Sequence, residues 1–165
     1  STSLQLNLKK PEPRYWEALA QAFLSEQELR NWGGPHLRLP LNLNQLDSQL
    51  DLAKWETRFV LSEPEQALVG FGQYQNRFQR CHLGRLFIWP HERNKGIGSL
   101  MIQSLARSGC QQFQCTEVSL WVLAGNPKAL SLYRRLGFLE IPYPAPDPFS
   151  NSFFMAISLE RLLAG

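Results

Sequence analysis

The sequence predicts an α/β fold in which a single domain over residues 1–165 carries a mixed, mostly antiparallel sheet flanked by helices. The length of 165 residues suits one domain with one core, because domains usually have about 100–200 residues. Hydrophobic residues make up 44% of the chain and charged residues 19%, which is ordinary globular composition and excludes a disordered chain. Apolar residues follow the period of strands in some segments and of helices in others, so both kinds of element are expected.

The first third of the chain predicts a strand followed by helices. Leucines alternate with polar residues over 4–8, which predicts a half-buried strand. Apolar residues then recur at helical spacing, which predicts one helix over about 13–30. Two glycines and a proline predict a loop over 32–36. Spaced leucines over 43–52 indicate a second, weaker helix, with Asn42 or Asn44 as its cap.

The remainder of the chain alternates between strand and helix signals. Short polar connections separate three strand patterns, which predict an antiparallel meander over 57–61, 67–74 and 82–88. A helix from Ile97 to about Gly109, a strand over 117–123 and a helix opened by Asn126-Pro127 and ended by Gly137 follow. Two last strands are expected over 138–142 and 152–159.

Charge and cysteine content restrict the class of protein. The net charge of +3 is too small and dispersed to predict a nucleic-acid partner. The longest apolar runs are far shorter than the ~20 residues of a membrane span, and the first residues lack signal-peptide features, so we expect a cytoplasmic protein without a membrane partner. Three cysteines without C-x-x-C spacing argue against a disulfide framework and against a metal site.

The segment 88–99 has the design of an anion site. Gly96 and Gly98 allow backbone N–H groups to converge, and the first turn of the following helix leaves about four N–H donors without helical partners. Arg93 and Lys95 add positive charge beside them. The spacing matches neither a Walker loop nor a Rossmann fingerprint, and an ordinary glycine turn before a helix is the alternative.

A second motif makes the pattern more specific. The residues Asn126-x-x-Ala129-x-x-Leu132-Tyr133-x-x-x-Gly137-Phe138 follow Arg93-x-x-Gly96-x-Gly98 after one predicted helix and one predicted strand. Together the two motifs resemble the GNAT superfamily of N-acetyltransferases, with the close match over about residues 82–138. The resemblance implies a GNAT-like acyl-CoA N-acyltransferase fold. It also implies an acyltransferase that moves an acetyl group from acetyl-CoA to a primary amine by direct attack in a ternary complex.

The resemblance implies a set of cofactor-binding residues and no metal. The pyrophosphate of acetyl-CoA would be bound, mainly through backbone amides, by Arg93, Asn94, Lys95, Gly96, Ile97, Gly98 and Ser99. Backbone groups of Leu86 and Ile88 would pair with the pantetheine arm as a neighbouring strand would, and Asn126 would contact the same arm. Tyr133 would lie close to the thioester sulfur.

Amine acetylation needs two proton transfers. The departing thiolate must gain a proton or be stabilised, and a phenol with a pKa near 10 suits that task, so Tyr133 is the expected general acid. A core aromatic on an apolar helix face is the alternative for Tyr133. The alkylammonium acceptor must lose a proton before it attacks.

The base that takes the amine proton is less well defined by the sequence. Some GNAT members carry a glutamate where this chain has Trp121, and others carry one where it has His82. A histidine pKa near 6.5 suits a base, so His82 is the candidate. A strand-end histidine near solvent is the alternative for His82, and bulk water acting through a relay is an equal alternative for the base.

Two loops are expected to border the acceptor amine. Trp32 is expected to stack on the acceptor and His36 to contact it, unless Trp32 caps the core instead. Tyr143 and Asp147 of the proline-rich stretch 142–148 form the expected opposite wall, unless this stretch is only a stiff connection.

Two other functions stay open at this point: O-acylation or transfer of a longer acyl chain, and a CoA-binding sensor or interaction module without turnover. The acceptor is a small-molecule amine or a protein or peptide amine, and the chain is expected to be a monomer or homodimer.

Overall fold

Seven strands and six helices lie in residues 4–146 and 151–165, which are the residues that the structure, a computed structural model, describes. The strands are β1 Gln5–Lys9, β2 Glu56–Glu63, β3 Ala67–Arg77, β4 Arg80–Ile88, β5 Glu117–Leu123, β6 Leu139–Glu140 and β7 Ser152–Ser158. The helices are α1 Pro13–Ala20, α2 Glu26–Gly33, α3 Leu46–Gln49, α4 Ile97–Phe113, α5 Pro127–Leu136 and α6 Leu159–Ala164. Short 3₁₀ turns precede α3 at Leu43–Gln45 and α4 at Pro90–Glu92.

The strands form a sheet in the order β1-β2-β3-β4-β5-β7-β6. β1 pairs antiparallel with β2, and β7 pairs antiparallel with both β5 and β6. A two-residue turn joins β3 to β4, and its residues Phe78 and Gln79 both have positive φ, as the favoured hairpin turns require. β4 pairs parallel with β5, from Cys81 opposite Val118 to Leu83 opposite Leu120. These pairings confirm the predicted mixed, mostly antiparallel sheet.

The described residues divide into two compact units. Unit 1 holds the residues up to Gln73 together with Arg85–Met101, and unit 2 holds Tyr74–Gly84 and the residues from Ile102 onward. The core of unit 1 is aromatic: Trp16 meets Phe59 edge-to-face with ring centroids 5.0 Å apart, and Phe59 meets Phe71 at 5.1 Å. Such edge-to-face pairs stabilise the core beyond the area they bury.

The single helix predicted over 13–30 is wrong, because the chain forms α1 and α2 with a break between them. Ser25 starts α2 by accepting a hydrogen bond from the Glu28 N–H at 3.1 Å, and the Glu28 carboxylate accepts one from the Leu24 N–H. The Ser25 hydroxyl thus satisfies one N–H donor of the first turn of α2, and the Glu28 carboxylate holds the backbone just before the cap. The continuous apolar pattern of the sequence does not reveal this helix start. The predicted loop begins later than expected, at Gly34, whose φ is 120°.

Unit 2 contains three further differences from the sequence prediction. α4 continues past Gly109 to Phe113 because Gly109 serves close packing: a Cβ there would overlap Cys81 Sγ. The strand predicted over 138–142 has only two residues, and α6 was not predicted. The predicted start and end of α5 are confirmed by the Asn126 cap, by Pro127 in the first turn and by Gly137 with φ 105°. None of the helices in residues 4–146 and 151–165 has the length and apolarity to cross a bilayer.

Candidate active site

Residues 93–99, which end the connection from β4 and begin α4, are here called the glycine loop. Asn94 and Gly96 have positive φ values of 64° and 83°. A Cβ built on Gly96 would meet nothing within 4 Å, so the loop backbone borders open space there. Asn94, Lys95 and Gly96 are exposed, and Ile97 is buried as the first residue of α4. The loop therefore presents backbone groups and the first-turn N–H donors of α4 to the outside of unit 1.

The Arg93 side chain is engaged within unit 1. Its Nε donates to the Ile88 carbonyl at 2.9 Å, and one terminal nitrogen donates to Glu28 Oε2 at 3.1 Å. The guanidinium also lies 5.2 Å from the centre of the Phe87 ring. The side chain predicted to supply charge beside an anion instead ties the glycine loop to the end of β4 and to α2.

The most exposed positive charge of the glycine loop is that of Lys95. The Lys95 side chain is 56% exposed and its Nζ lies 3.6 Å from Glu92 Oε2, a distance at which an exposed pair contributes little. Gly98 and Ser99 are half-buried in the first turn of α4. Backbone amides and the exposed Lys95 are therefore available to an anion, and the prediction that amides dominate its binding stays a prediction.

Leu86 and Ile88 of β4 are predicted to pair with the pantetheine arm, and both are half-buried. The Ile88 carbonyl already accepts from Arg93, and the next N–H, that of Trp89, donates to the Val69 carbonyl at 2.9 Å. A carbonyl accepts two hydrogen bonds, so Ile88 keeps one acceptor position.

The two acceptor-binding candidates of unit 1 have different surroundings. Trp32 lies in α2, packs on Phe23 and Phe71 at 5.0 and 5.4 Å, and donates from its indole N–H to the Arg85 carbonyl at 2.7 Å. These contacts favour the alternative in which Trp32 caps the core, although the ring is only half-buried, and its stacking on an acceptor stays a prediction. His36 is exposed, and its Nε2 lies 3.4 Å from the Gln49 carbonyl.

In unit 2, two predicted site residues lie at α5: Asn126 precedes the helix as its N-cap, and Tyr133 lies within it. The Asn126 Oδ1 accepts from the Ala129 N–H at 3.3 Å and so caps the helix, which leaves its amide NH₂ as the group for a ligand. Tyr133 is 9% exposed and meets Phe138 edge-to-face at 5.9 Å. Burial raises the pKa of Tyr133 to about 12, so the phenol keeps its proton at neutral pH and can only donate it.

His82 is buried, and both ring nitrogens have partners. Its Nε2 lies 3.1 Å from an Arg77 nitrogen and its Nδ1 lies 2.9 Å from Ser119 Oγ. A guanidinium can only donate, so Nε2 is the acceptor and Nδ1 carries the proton. Burial, with the Arg77 charge, lowers the pKa of His82 to about 3.

This environment corrects two expectations for His82. The expected pKa near 6.5 is wrong, and so is the alternative of a strand-end histidine near solvent, because its exposure is 2%. A base needs an available lone pair, and the lone pair of His82 is directed at Arg77. The residue therefore holds β4 against β5 through Ser119.

Tyr143 belongs to an aromatic cluster of unit 2. Its ring lies 4.8 Å from Trp121, 5.0 Å from Phe154 and 5.3 Å from Phe78. Trp121 stands where some relatives were expected to carry a glutamate, and it contributes an aromatic face instead. Asp147, predicted for the same wall, lies outside the described residues.

The structure divides the predicted site residues between the two units. Unit 1 holds Trp32, His36, Leu86, Ile88 and the glycine loop, and unit 2 holds His82, Asn126, Tyr133 and Tyr143. The sequence did not reveal Glu28, the partner of Arg93, since an ion pair between residues 65 positions apart leaves no local pattern. Within the described residues, no group of three or more His, Cys, Asp or Glu side chains is placed to hold a metal ion.

Comparison with known proteins identifies the family. The sequence profile of the acetyltransferase (GNAT) family matches residues 16–138. The chain belongs to this family. Among GNAT proteins, it is 33% identical over 82 residues to a probable spermine N(1)-acetyltransferase of Bacillus subtilis subsp. natto, which is 45% of this chain and 54% of the relative. It is 25% identical over 117 residues to an N-alpha-acetyltransferase of Sulfurisphaera tokodaii, which is 64% of this chain and 70% of that relative.

Solved GNAT structures share the fold over nearly the whole chain. The spermidine N-acetyltransferase from Vibrio cholerae, solved with CoA and spermine, superposes with a TM-score of 0.74 at 18% identity and covers 96% of this chain and 98% of its own. The predicted GNAT-like fold is therefore confirmed. In sequence, by contrast, the chain spans about half the length of the curated spermine acetyltransferases it matches.

Proposed function

We propose that this GNAT protein is an acetyl-CoA-dependent N-acetyltransferase that acts on a primary amine of a small polyamine. Family membership over residues 16–138 supports N-acetyl transfer as the reaction class. The relatives named for spermine and spermidine support a polyamine as the acceptor. The observation that carries the proposal is the glycine loop, whose open backbone fits the pyrophosphate of acetyl-CoA.

The fit depends on features of unit 1. Gly96 has a positive φ, which glycine adopts without strain, and the empty space where a Cβ would project leaves room for phosphate oxygens. The N-terminus of α4, a helix of 17 residues, adds unpaired N–H donors and a favourable dipole for an anion. Lys95 supplies a mobile positive charge at the same place, while Arg93 keeps the loop in position.

Acetyl-CoA supplies the acetyl group as a thioester, which the neutral amine attacks directly without a covalent enzyme intermediate. Tyr133 is proposed to act at the sulfur. With a pKa of about 12, its phenol is a weaker acid than a thiol, for which the usual value is about 8.5. Complete proton transfer to the thiolate is therefore uphill, and Tyr133 stabilises the leaving sulfur by donating a hydrogen bond.

Water is the proposed acceptor of the amine proton. Both ring nitrogens of His82 are engaged and its pKa is about 3, so it is assigned a positioning role on β4. His36 is exposed and bonded only weakly to Gln49, and it remains the residue of unit 1 proposed to contact the acceptor. Tyr143, whose ring is half-buried, stays a predicted contact of the acceptor.

A second acceptor class is favoured by one comparison. The similarity to an N-alpha-acetyltransferase extends over 117 residues, more than the 82 shared with the spermine acetyltransferase, although at lower identity. A peptide amino terminus is therefore the second candidate acceptor.

An amine panel separates the two candidates. Release of the CoA thiol is measured at a fixed acetyl-CoA concentration with spermidine, spermine, a free lysine derivative and short peptides with free amino termini. The proposal expects a kcat/KM for a polyamine at least tenfold above that for every peptide. A preference for peptides would make a peptide amino terminus the acceptor in place of a polyamine. Binding of acetyl-CoA with no thiol release in the presence of any amine would support a CoA-binding sensor.

A further inference from the structure

Three thiols gather at the C-terminal end of α4. Cys110 lies in the last turn of α4, Cys115 follows the helix, and Cys81 of β4 packs beside Gly109. Cys81 and Cys110 are buried, and Cys115 is half-buried. All three are free thiols, and acetyl transfer as proposed uses none of them.

The end of α4 brings two of these thiols into contact. Gln114 has a φ of 56°, and the Cys115 N–H donates to the Cys110 carbonyl at 3.1 Å. This six-to-one hydrogen bond after a left-handed residue is the Schellman motif, in which the two residues that it joins also bring their side chains together. Here those side chains are thiols, and Cys115 Sγ lies 3.5 Å from Cys110 Sγ.

A shared acceptor keeps the two sulfurs side by side. The Cys110 and Cys115 thiols lie 3.7 and 3.8 Å from the Glu117 carbonyl oxygen. Both sulfurs are therefore held on one side of the chain where it leaves α4 for β5. A disulfide needs its two sulfurs about 2.05 Å apart, so the two sulfurs must approach each other by about 1.5 Å for the bond to form.

We propose that Cys110 and Cys115 are a reversible redox modification site, which a peroxide converts to an intramolecular disulfide. The oxidant reaches Cys115, the more exposed sulfur, and the O–O bond breaks as Cys115 becomes a sulfenic acid and one water leaves. Cys110 then attacks the Cys115 sulfur, the S–O bond breaks, and the departing hydroxide takes the Cys110 proton as a second water. Two thiols lose two electrons in total, and one peroxide gains them.

The surroundings suit Cys110 to the second step. Hydrogen bonds from the thiols of Cys81 and then Cys115 lower the pKa of Cys110, although burial opposes them. Burial raises the pKa of Cys115, so Cys110 is the first of the pair to become a thiolate. Thiolates are the attacking species in disulfide formation.

Peptide mapping tests the site directly on the whole folded chain. Trypsin places Cys110 and Cys115 in one peptide, residues 108–128, and Cys81 in another, residues 81–85. After treatment with hydrogen peroxide, unfolding and alkylation, peptide 108–128 is expected to lose two hydrogen atoms and take up no alkylating reagent. Reduction before alkylation should restore two labels, and Cys81 should be labelled throughout.

Three results would overturn the proposal: peptide 108–128 still labelled twice, a disulfide joining it to peptide 81–85, or a disulfide between two chains. Cys115→Ser and Cys110→Ser should each abolish the two-hydrogen loss. Cys81→Ser is the matched control: it keeps both sulfurs of the proposed pair, so the two-hydrogen loss should still occur, at a lower rate because the Cys81 thiol no longer favours the Cys110 thiolate. Because the wild-type peptide map decides the result on its own, a variant that fails to fold does not weaken the test.

Discussion

The role of Glu28 can be tested by Glu28→Gln, because two possible roles of Arg93 predict opposite changes in acetyl-CoA affinity. Glu28 accepts a hydrogen bond from Arg93 at 3.1 Å, and Arg93 in turn donates to the Ile88 carbonyl next to the glycine loop. If this chain of bonds fixes the loop, Glu28→Gln should weaken acetyl-CoA binding. If Arg93 instead acts as a phosphate-binding cation that Glu28 partly neutralises, the same change should strengthen binding.

The size of the effect follows from the burial of the pair. The Arg93 and Glu28 side chains are 32% and 25% exposed, between an exposed pair, at about 0.2–1 kcal/mol, and a buried hydrogen bond to a charge, at about 1.5–3 kcal/mol. We expect Glu28→Gln to remove about 1 kcal/mol of the free energy that holds the glycine loop in position. Since ~1.4 kcal/mol is tenfold in an equilibrium constant, acetyl-CoA should bind about fivefold more weakly.

Isothermal titration calorimetry with acetyl-CoA measures this change. Glu17→Gln is the matched control, because it removes the same charge from an exposed position on α1 outside the Arg93 contacts. Removing a negative charge near a phosphate site favours the anion by itself, so weaker binding is explained only by loss of the tether. Unchanged or tighter binding in a folded Glu28→Gln protein would refute the tethering role of Arg93.

Three further substitutions test the remaining assignments. Tyr133→Phe should lower kcat by ~10²-fold with acetyl-CoA affinity within about twofold, and a kcat loss below about threefold with chemistry rate-limiting would assign Tyr133 to packing. Gly98→Val should remove measurable acetyl-CoA binding by calorimetry while the circular dichroism spectrum stays native, and retained affinity would exclude the glycine loop as the pyrophosphate site. His82 has a folded pKa of about 3, below its unfolded value of about 6.5, so its stabilisation is present above pH 6.5 and is lost as the pH falls toward 3. His82→Gln should therefore flatten the rise in unfolding free energy between about pH 4 and 6 in urea titrations, by up to ~1.4 kcal/mol per pH unit, and an unaltered slope would contradict the buried neutral state.

The elements with strong local signals were predicted from the sequence. α5 begins and ends where Asn126, Pro127 and Gly137 indicated, because caps and left-handed glycines act over a few residues. The strands β2 to β5 followed from apolar patterns bounded by polar connections. The single helix over 13–30 failed because the capping by Ser25 and Glu28 outweighed a continuous apolar face.

The candidate site was predictable in its backbone and less so in its side chains. The glycine loop could be predicted from Gly96 and Gly98 at the start of a helix, because glycine turns and helix N-termini depend on neighbouring residues alone. Partners distant in the chain decided the rest: Glu28 for Arg93, Arg85 for Trp32, and Ser119 for His82. A sequence indicates that a histidine is present, but only the packed structure shows that its lone pair is occupied.

The most direct test of the proposed activity is a product analysis at limiting acetyl-CoA. The protein is incubated with spermidine in excess, the free CoA thiol is counted, and the amine products are identified by mass spectrometry. We expect one acetylated spermidine for each CoA thiol released, and we expect the Tyr133→Phe protein to form both the free thiol and the acetylated spermidine far more slowly. Thiol release without acetylated amine, or equal product yields with and without the protein, would contradict it.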